Sequence, residues 1–351
     1  MDKRSLQPYL AAADLSLAQA MRAIDANGDG ILFLAEEDGR LLGCITDGDI
    51  RRYLLAGGKM TDPALNAANR APKTARTEEE AKRLYHKKNF VVIPILDEEG
   101  RIVTLYNGDG AAARPCAALH VPVVINAGGR GTRLEPFTKV LPKPLIPVGE
   151  LPIIELIMQE YRRYSCDEFL IIVNYKRELM KAYFAENENR YNVAWYDEDK
   201  PLGTGGGLRY LKGRLHGTFF FANCDALLTA NYERILQFHK ENGNVITMIC
   251  AYRNTTLPYG IVEMGENGRI ERMEEKPTLS FLVNTGIYVV EPEVIDDIEE
   301  GKAVGFPEIV EKERQMGRKV AVFPVSENEW MDMGQLSELE KMRKKLYGEE
   351  R

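Results

Sequence analysis

Short continuous runs of apolar residues recur along most of this chain, separated by amphipathic stretches. Val123-Val124-Ile125, Phe169-Leu170-Ile171-Ile172-Val173 and Phe219-Phe220-Phe221-Ala222 are such runs. Their length and their β-branched and aromatic content predict strands buried on both faces. Leu179 to Phe184 carries a helical pattern, and Val193-Ala194-Trp195-Tyr196 reads as a short strand. Strands alternating with helices predict an α/β fold with a mostly parallel sheet covered on both faces.

Ahead of residue 120 the pattern differs and repeats itself. Ile31 to Gly43 is a strand, an acidic turn ending in Gly39 and a second strand, and Val91 to Val103 answers it around Gly100. Each copy predicts a hairpin. Helical patterns precede them, with Leu17, Ala20, Met21 and Ile24 before the first and Ala81, Leu84 and Tyr85 before the second. The small-residue stretch Ala111 to Pro115 and His120-Val121-Pro122 then lead into the Val123 strand, so the predicted domains are 1–118 and 122–345.

Composition narrows the class. The chain has 351 residues with 44% apolar and 28% charged, enough for two cores in a soluble enzyme. A net charge of −7 argues against a nucleic-acid surface, which carries a basic patch. Cys44, Cys116, Cys166, Cys224 and Cys250 are odd in number and form no C-x-x-C pair, which predicts reduced thiols and no zinc site. The first twenty residues lack the apolar core of a secretory leader, and no later run is long enough for a bilayer. The expectation is a cytoplasmic protein with no membrane partner.

The chemistry begins where the Val123 strand ends. Ala127-Gly128-Gly129-Arg130-Gly131-Thr132-Arg133 follows it directly, and Pro142-Lys143-Pro144 comes ten residues later. A small-residue loop after a buried strand exposes backbone N–H groups that can cradle phosphate. Arg133 and Lys143 supply counter-charge for a polyphosphate. The dinucleotide fingerprint and the P-loop do not fit, since the glycines are spaced G-G-x-G and no Gly-Lys-Ser/Thr closes the loop.

This segment resembles the signature of the sugar-1-phosphate nucleotidyltransferases, G-G-x-G-T-R-L-x-P-x-T followed by P-K-P-L-x-P-V, and the resemblance extends to about residue 345. It implies a Rossmann-like sheet, a nucleoside triphosphate and a sugar 1-phosphate as substrates, and Mg²⁺. Ala127, Gly128, Gly129, Gly131 and Thr132 would then belong to the nucleotide site, with Gly203 and Thr204 of Pro201-Leu202-Gly203-Thr204-Gly205-Gly206-Gly207. There the family motif has alanine where this chain has Gly205 and Gly207, and glycines let the backbone lie close to a flat ligand. Glu198, five residues before Gly203, stands where the family reads the base. A carboxylate accepts from both N1–H and N2–H₂ of guanine, which favours GTP over UTP or dTTP. The alternative is a solvated acid in the Asp197-Glu198-Asp199 run.

Asp225, at the end of the Phe219 strand, and Asp332, in Trp330-Met331-Asp332-Met333-Gly334, match the expected Mg²⁺ ligands, both oxygen donors as that ion prefers. Cys224 reads as a buried spacer and not as a nucleophile. On the sugar side Tyr259-Gly260-Ile261-Val262, Glu275-Lys276-Pro277 and Asn284-Thr285-Gly286 resemble Y-G-x-V, E-K-P and N-T-G. The resemblance gives Gly260, Glu275 and Asn284 to the sugar and Lys276 to its 1-phosphate.

The N-terminal repeats resemble a pair of CBS units forming a smaller α+β domain. Thr46 and Asp49 of Thr46-Asp47-Gly48-Asp49 match residues that hold an adenine nucleotide in such repeats, whereas Tyr106-Asn107-Gly108-Asp109 lacks the hydroxyl donor. A purely structural or dimer-forming pair is the alternative. A CBS pair ahead of a compact transferase is similar to guanylyltransferases that make GDP-glucosamine for legionaminic acid synthesis, and to mannose-1-phosphate guanylyltransferases. The whole is expected to be a homo-oligomer. Uridylyl or thymidylyl transfer to glucose 1-phosphate stays open, as does a nucleotide sensor with an inactive transferase half.

Overall fold

The computed structural model describes residues 6–27, 29–87, 92–107, 116–186 and 190–347. The chain forms two compact units, Met1–Arg114 with Tyr252–Phe281, and Pro115–Ala251 with Leu282–Arg351. The grouping of 252–281 with the N-terminal residues is not visible in the linear pattern.

In the first unit the helix Leu17–Asn27 buries Leu17, Ala20, Met21 and Ile24, a three-and-four spacing that places them on one face. The strand Ile31–Ala35 pairs antiparallel with Leu41–Thr46, and Ile93–Leu96 pairs antiparallel with Ile102–Tyr106. The two hairpins meet turn to turn. Leu41 N–H donates to Gly100 C=O and Ile102 N–H to Gly39 C=O, each at 3.1 Å. Gly39 and Gly100 have φ of +87° and +82°, a conformation in which a side chain would be strained. Phe33, Cys44, Val92 and Ile102 from both repeats share one apolar cluster.

The second unit is built on a seven-stranded sheet in the order Asn192–Asp197, Glu168–Val173, Val123–Asn126, Phe219–Asn223, Thr278–Val290, Ile246–Thr256, Val320–Val325. The first four strands run parallel. Phe219–Asn223 pairs antiparallel with Thr278–Val290, while Ile246–Thr256 and Val320–Val325 are parallel. Each face of the sheet carries its own core. Val123, Ile125, Phe220 and Ala222 pack on one side, and Val124, Phe219 and Phe221 on the other. That is why these strands are apolar at every position and do not alternate. Full burial of each such side chain contributes about 1.5–3 kcal/mol.

The parallel strands end together at Asn126, Val173, Asp197 and Asn223, so the loops that follow them converge at one edge. Among the described residues no helix is long and apolar enough to cross a membrane.

Candidate active site

The Val123 strand does not release the chain at its last sheet residue. Buried Ala127 still donates its N–H to Ile172 C=O at 2.8 Å, so the loop begins at Gly128. A side chain on Gly129 would meet nothing within 4 Å among the described residues, which leaves that backbone open. Gly131, at φ +65°, is held from behind, since a Cβ there would stand 3.0 Å from both Lys143 Cβ and Thr138 Cγ2. The buried Thr138 hydroxyl donates to Gly131 C=O at 3.1 Å. These contacts fix the loop to the Pro142-Lys143 segment. Gly129, Gly131, Thr132, Arg133, Lys143, Thr204 and Asp225 line one cleft of about 270 Å³, together with Asn126, Asn223, Cys224 and Gly334.

A second pairing brings the two acids together. Ala226–Leu228 runs antiparallel to Trp330–Asp332 with Ala226 opposite Asp332, and Met333 N–H donates to Asp225 C=O at 2.9 Å. Residues 107 apart in sequence are thereby neighbours. A Cβ on Gly334 would sit 2.9 Å from Asp332 Oδ2, so the glycine leaves room for that carboxylate. Burial first, then the Asp225 charge, pushes the Asp332 carboxyl up to about 6, against the opposing charges of Lys143 and Arg133. Lys143 is salt-bridged to Asp225. Burial works against its charge, but Asp225, Cys224 and Asp332 hold the ammonium above its ordinary range. Two oxygen-donor acids so arranged fit a hard divalent cation such as Mg²⁺.

Cys224 points to no nucleophilic chemistry. Burial and then the neighbouring Asp225 push its thiol up to about 12, leaving negligible thiolate at neutral pH.

Glu198 is 3% exposed and is therefore not part of a solvated acidic run. Its N–H donates to Val173 C=O and its C=O accepts from Asn174 Nδ2, both at 2.8 Å, which fixes its backbone to the sheet edge. Burial pushes its carboxyl up to about 7, with the Leu202 backbone N–H pulling the other way. Oε1 is buried and has no hydrogen-bond partner among the described residues. Such an atom costs about 1–3 kcal/mol unless a donor reaches it.

The glycine run after Leu202 differs from the expectation. The sequence reading gives its glycines to close approach by a flat ligand. Instead it forms a 3₁₀ turn over Gly206–Leu211, and its missing side chains face the protein. A Cβ would meet Val304 O at 2.6 Å on Gly203, Ile309 Cδ1 at 2.5 Å on Gly205, Lys302 O at 2.7 Å on Gly206 and Glu198 Oε1 at 2.4 Å on Gly207. Close packing, more than ligand access, accounts for these glycines. Thr204 accepts from Phe306 N–H at 2.9 Å through its hydroxyl and from Asn126 Nδ2 at 3.2 Å through its carbonyl, tying this loop to the end of the Val123 strand.

The sugar-side residues divide between the two units. In the second, Asn284 Nδ2 donates to the Tyr288 hydroxyl at 2.7 Å, and Asn284 Oδ1 accepts from Gly286 N–H at 3.0 Å. A Cβ on Gly286 would lie 2.4 Å from Asn223 Nδ2, which sets this part of the Thr278–Val290 strand against the cleft wall. In the first, Gly260, Glu275 and Lys276 come together at the base of the hairpin of Ile261–Met264 and Ile270–Glu274. Leu257 N–H donates to Pro277 C=O at 3.0 Å, and a Cβ on Gly260 would be 2.8 Å from Glu275 Oε2. Lys276 is exposed at φ +47°.

In the N-terminal repeats Thr46 caps the helix Asp47–Leu55. Its hydroxyl donates to Asp49 Oδ2 at 2.6 Å, Asp49 Oδ2 also accepts from Thr46 N–H at 2.9 Å, and Arg52 is salt-bridged to Asp49. Both side chains are thus engaged with each other as a capping box. Gly108 and Asp109 of the second copy lie outside the described residues.

Sequence reasoning missed Asn126, Asn223 and Gly334. Asparagine ending a buried parallel strand, just where the ligand edge lies, is the signal that marks the first two.

The profile of the nucleotidyl transferase family matches residues 122–348. The chain belongs to that family. A CBS-domain profile matches residues 4–56, the first of the two repeats. A UTP–glucose-1-phosphate uridylyltransferase of Synechocystis sp. is 30% identical over 242 residues, covering 61% of this chain and 60% of that protein. A mannose-1-phosphate guanyltransferase of Schizosaccharomyces pombe is 33% identical over 232 residues, covering 60% of each. The chain therefore spans about 60% of the length of these relatives. The crystal structure of HddC from Yersinia pseudotuberculosis superposes with a TM-score of 0.52 at 20% identity, covering 64% of this chain and 99% of that one. That likeness establishes the nucleotidyltransferase fold, with its mixed and mostly parallel central sheet.

Proposed function

We propose that this protein is a sugar-1-phosphate nucleotidyltransferase that favours GTP. The observation carrying the reading is the cleft that gathers the glycine loop, Arg133, Lys143 and Asp225, with Asp332 brought beside Asp225 by the pairing of Ala226–Leu228 with Trp330–Asp332. A 1-phosphate oxygen attacks the α-phosphorus of the triphosphate in line, the new O–P bond forms, and the α–β bridging bond breaks to release pyrophosphate. The attacking phosphate is already an anion at neutral pH, so no base is required. The obstacle is bringing two polyanions together, and positioning with charge neutralisation overcomes it. Arg133 and Lys143 hold the triphosphate, and the family resemblance gives Lys276 the incoming phosphate and Gly260, Glu275 and Asn284 the sugar. Mg²⁺ on Asp225 and Asp332 would supply further charge neutralisation at the phosphate oxygens.

Glu198 supports guanine. Its unpartnered, buried Oε1 calls for a donor, and guanine presents two side by side while uracil and thymine present one between repelling carbonyls. The product would be a GDP-sugar of the glucosamine or mannose type, made in the cytoplasm for cell-surface glycan or nonulosonic acid synthesis such as that of legionaminic acid. The uridylyltransferase among the relatives keeps uridylyl transfer as the second reading. For the N-terminal repeats we favour a structural or homo-oligomer-forming role over adenine-nucleotide binding, because the capping box accounts for Thr46 and Asp49 without a ligand.

Pyrophosphate release, measured for four nucleoside triphosphates crossed with several sugar 1-phosphates, tests this. GTP with a hexose or hexosamine 1-phosphate should turn over fastest. Preference for UTP or dTTP would transfer the assignment to the second reading, and no release with any pair would overturn both.

A further inference from the structure

The Glu198 carboxylate stands in a slot made by two missing side chains. A Cβ on Gly128 would lie 2.8 Å from Oε2, and a Cβ on Gly207 would lie 2.4 Å from Oε1. One glycine belongs to the phosphate loop and the other to the turn behind it. The slot cannot widen by moving its walls. Gly205 and Gly206 are pressed against Ile309 and the Lys302 carbonyl, and the Glu198 backbone is bonded to Val173 and Asn174. A methyl group on Gly207 would also stand 2.8 Å from Cγ2 of Ile172, a β-branched side chain in a fully packed strand. The softest neighbour is the carboxylate itself, at the far end of a flexible side chain.

We infer that Gly207 is a specificity-determining position: its lack of a side chain is what allows Glu198 to stand carboxylate-first between the two loops. This rests on the reading of Glu198 as the base reader. It explains why glycine is found at 207, where the resembling motif has alanine, better than ligand access does, because the empty Cβ position is filled by Glu198. Alanine at 207 would re-aim the carboxylate before it disturbed the core. The consequence is a loss of base discrimination and not of phosphate chemistry, since Gly207 does not line the phosphate cleft.

A double-mutant cycle tests the coupling. Gly207→Ala, Glu198→Ala and the double variant are compared with the wild type for kcat/KM with GTP and with UTP, alongside thermal unfolding. Gly205→Ala serves as a control that adds the same methyl group against Ile309. Gly207→Ala should narrow the GTP/UTP ratio about tenfold, the scale on which a mis-set polar contact loses discrimination. In the Glu198→Ala background the same substitution should change the ratio by less than about twofold, because its partner is gone. Gly205→Ala should lower the unfolding temperature and leave the ratio unchanged. If Glu198→Ala narrows the ratio while Gly207→Ala does not, or if the two effects simply add, the slot inference is wrong and the base reading survives. If Glu198→Ala leaves the ratio unchanged, the base reading falls and takes the specificity role of Gly207 with it. Should Gly207→Ala prove insoluble, recovery of soluble protein on adding Glu198→Ala supports the slot, and failure to recover refutes it.

Discussion

Glu198→Gln should make the nucleotide-free protein more stable, and by an amount that grows with pH. The folded protein holds the Glu198 carboxyl near pKa 7, against an ordinary value of 4.5. Between those two values the folded chain keeps a proton that the unfolded chain has released. Unfolding free energy therefore falls as pH rises through this window, and the loss is complete above the folded pKa. A shift of this size corresponds to about 3 kcal/mol, at about 1.4 kcal/mol per unit. Glutamine fills the same slot, cannot ionise and bears none of this cost. The difference in stability between variant and wild type should be smallest at pH 5 and should approach about 3 kcal/mol by pH 8. Each kcal/mol moves the midpoint of a domain of this size by about 2–4 °C. The assay is thermal unfolding of both proteins without nucleotide at pH 5, 6, 7 and 8. A difference that stays flat across the series would refute the claim that burial raises this carboxyl. Activity should move the opposite way, since only the ionised carboxylate accepts both guanine donors: wild-type kcat/KM for GTP should rise through about pH 7, more steeply than for UTP.

Other outcomes can be checked on the same protein. Asp225→Asn or Asp332→Asn should lower kcat by about 10²-fold or more, the scale for removing a metal or charge-stabilising group, and wild-type-like turnover in both would remove the metal assignment. Lys276→Ala should mainly raise KM for the sugar phosphate and Arg133→Ala mainly that for the nucleotide, each by on the order of 2–5 kcal/mol, so identical patterns would contradict the division of labour. Cys224→Ala should retain turnover and native protein should resist iodoacetamide at Cys224, because burial and Asp225 keep the thiol protonated. Thr46→Ala should cost about 1 kcal/mol of stability by removing a helix cap, measured by urea unfolding, whether or not an adenine nucleotide is present. A large nucleotide-dependent gain in wild type alone would restore Thr46 and Asp49 as a ligand site.

The sequence by itself determined the local elements and the family. Apolar runs such as Phe219 to Ala222 specify strands because a strand buried on both faces admits no polar alternation, and the glycine loop after Val123 is legible because its spacing and its arginine are local. Gly39 and Gly100 mark the hairpin turns for the same reason. What the sequence could not decide were distances between residues far apart along it. The adjacency of Asp225 and Asp332 depends on the pairing of Ala226–Leu228 with Trp330–Asp332, and the shared cleft depends on four strands ending at one edge. The grouping of 252–281 with the N-terminal unit is likewise a matter of contacts that no composition announces. Glu198 shows the limit most clearly. Between two other acids a solvated carboxylate stays open beside the base-reading role, and only the fold, which sets it against Gly128 and Gly207 and buries it, decides that its carboxyl is raised. Charge state and burial belong to the neighbours in space, and those are set by the tertiary structure alone.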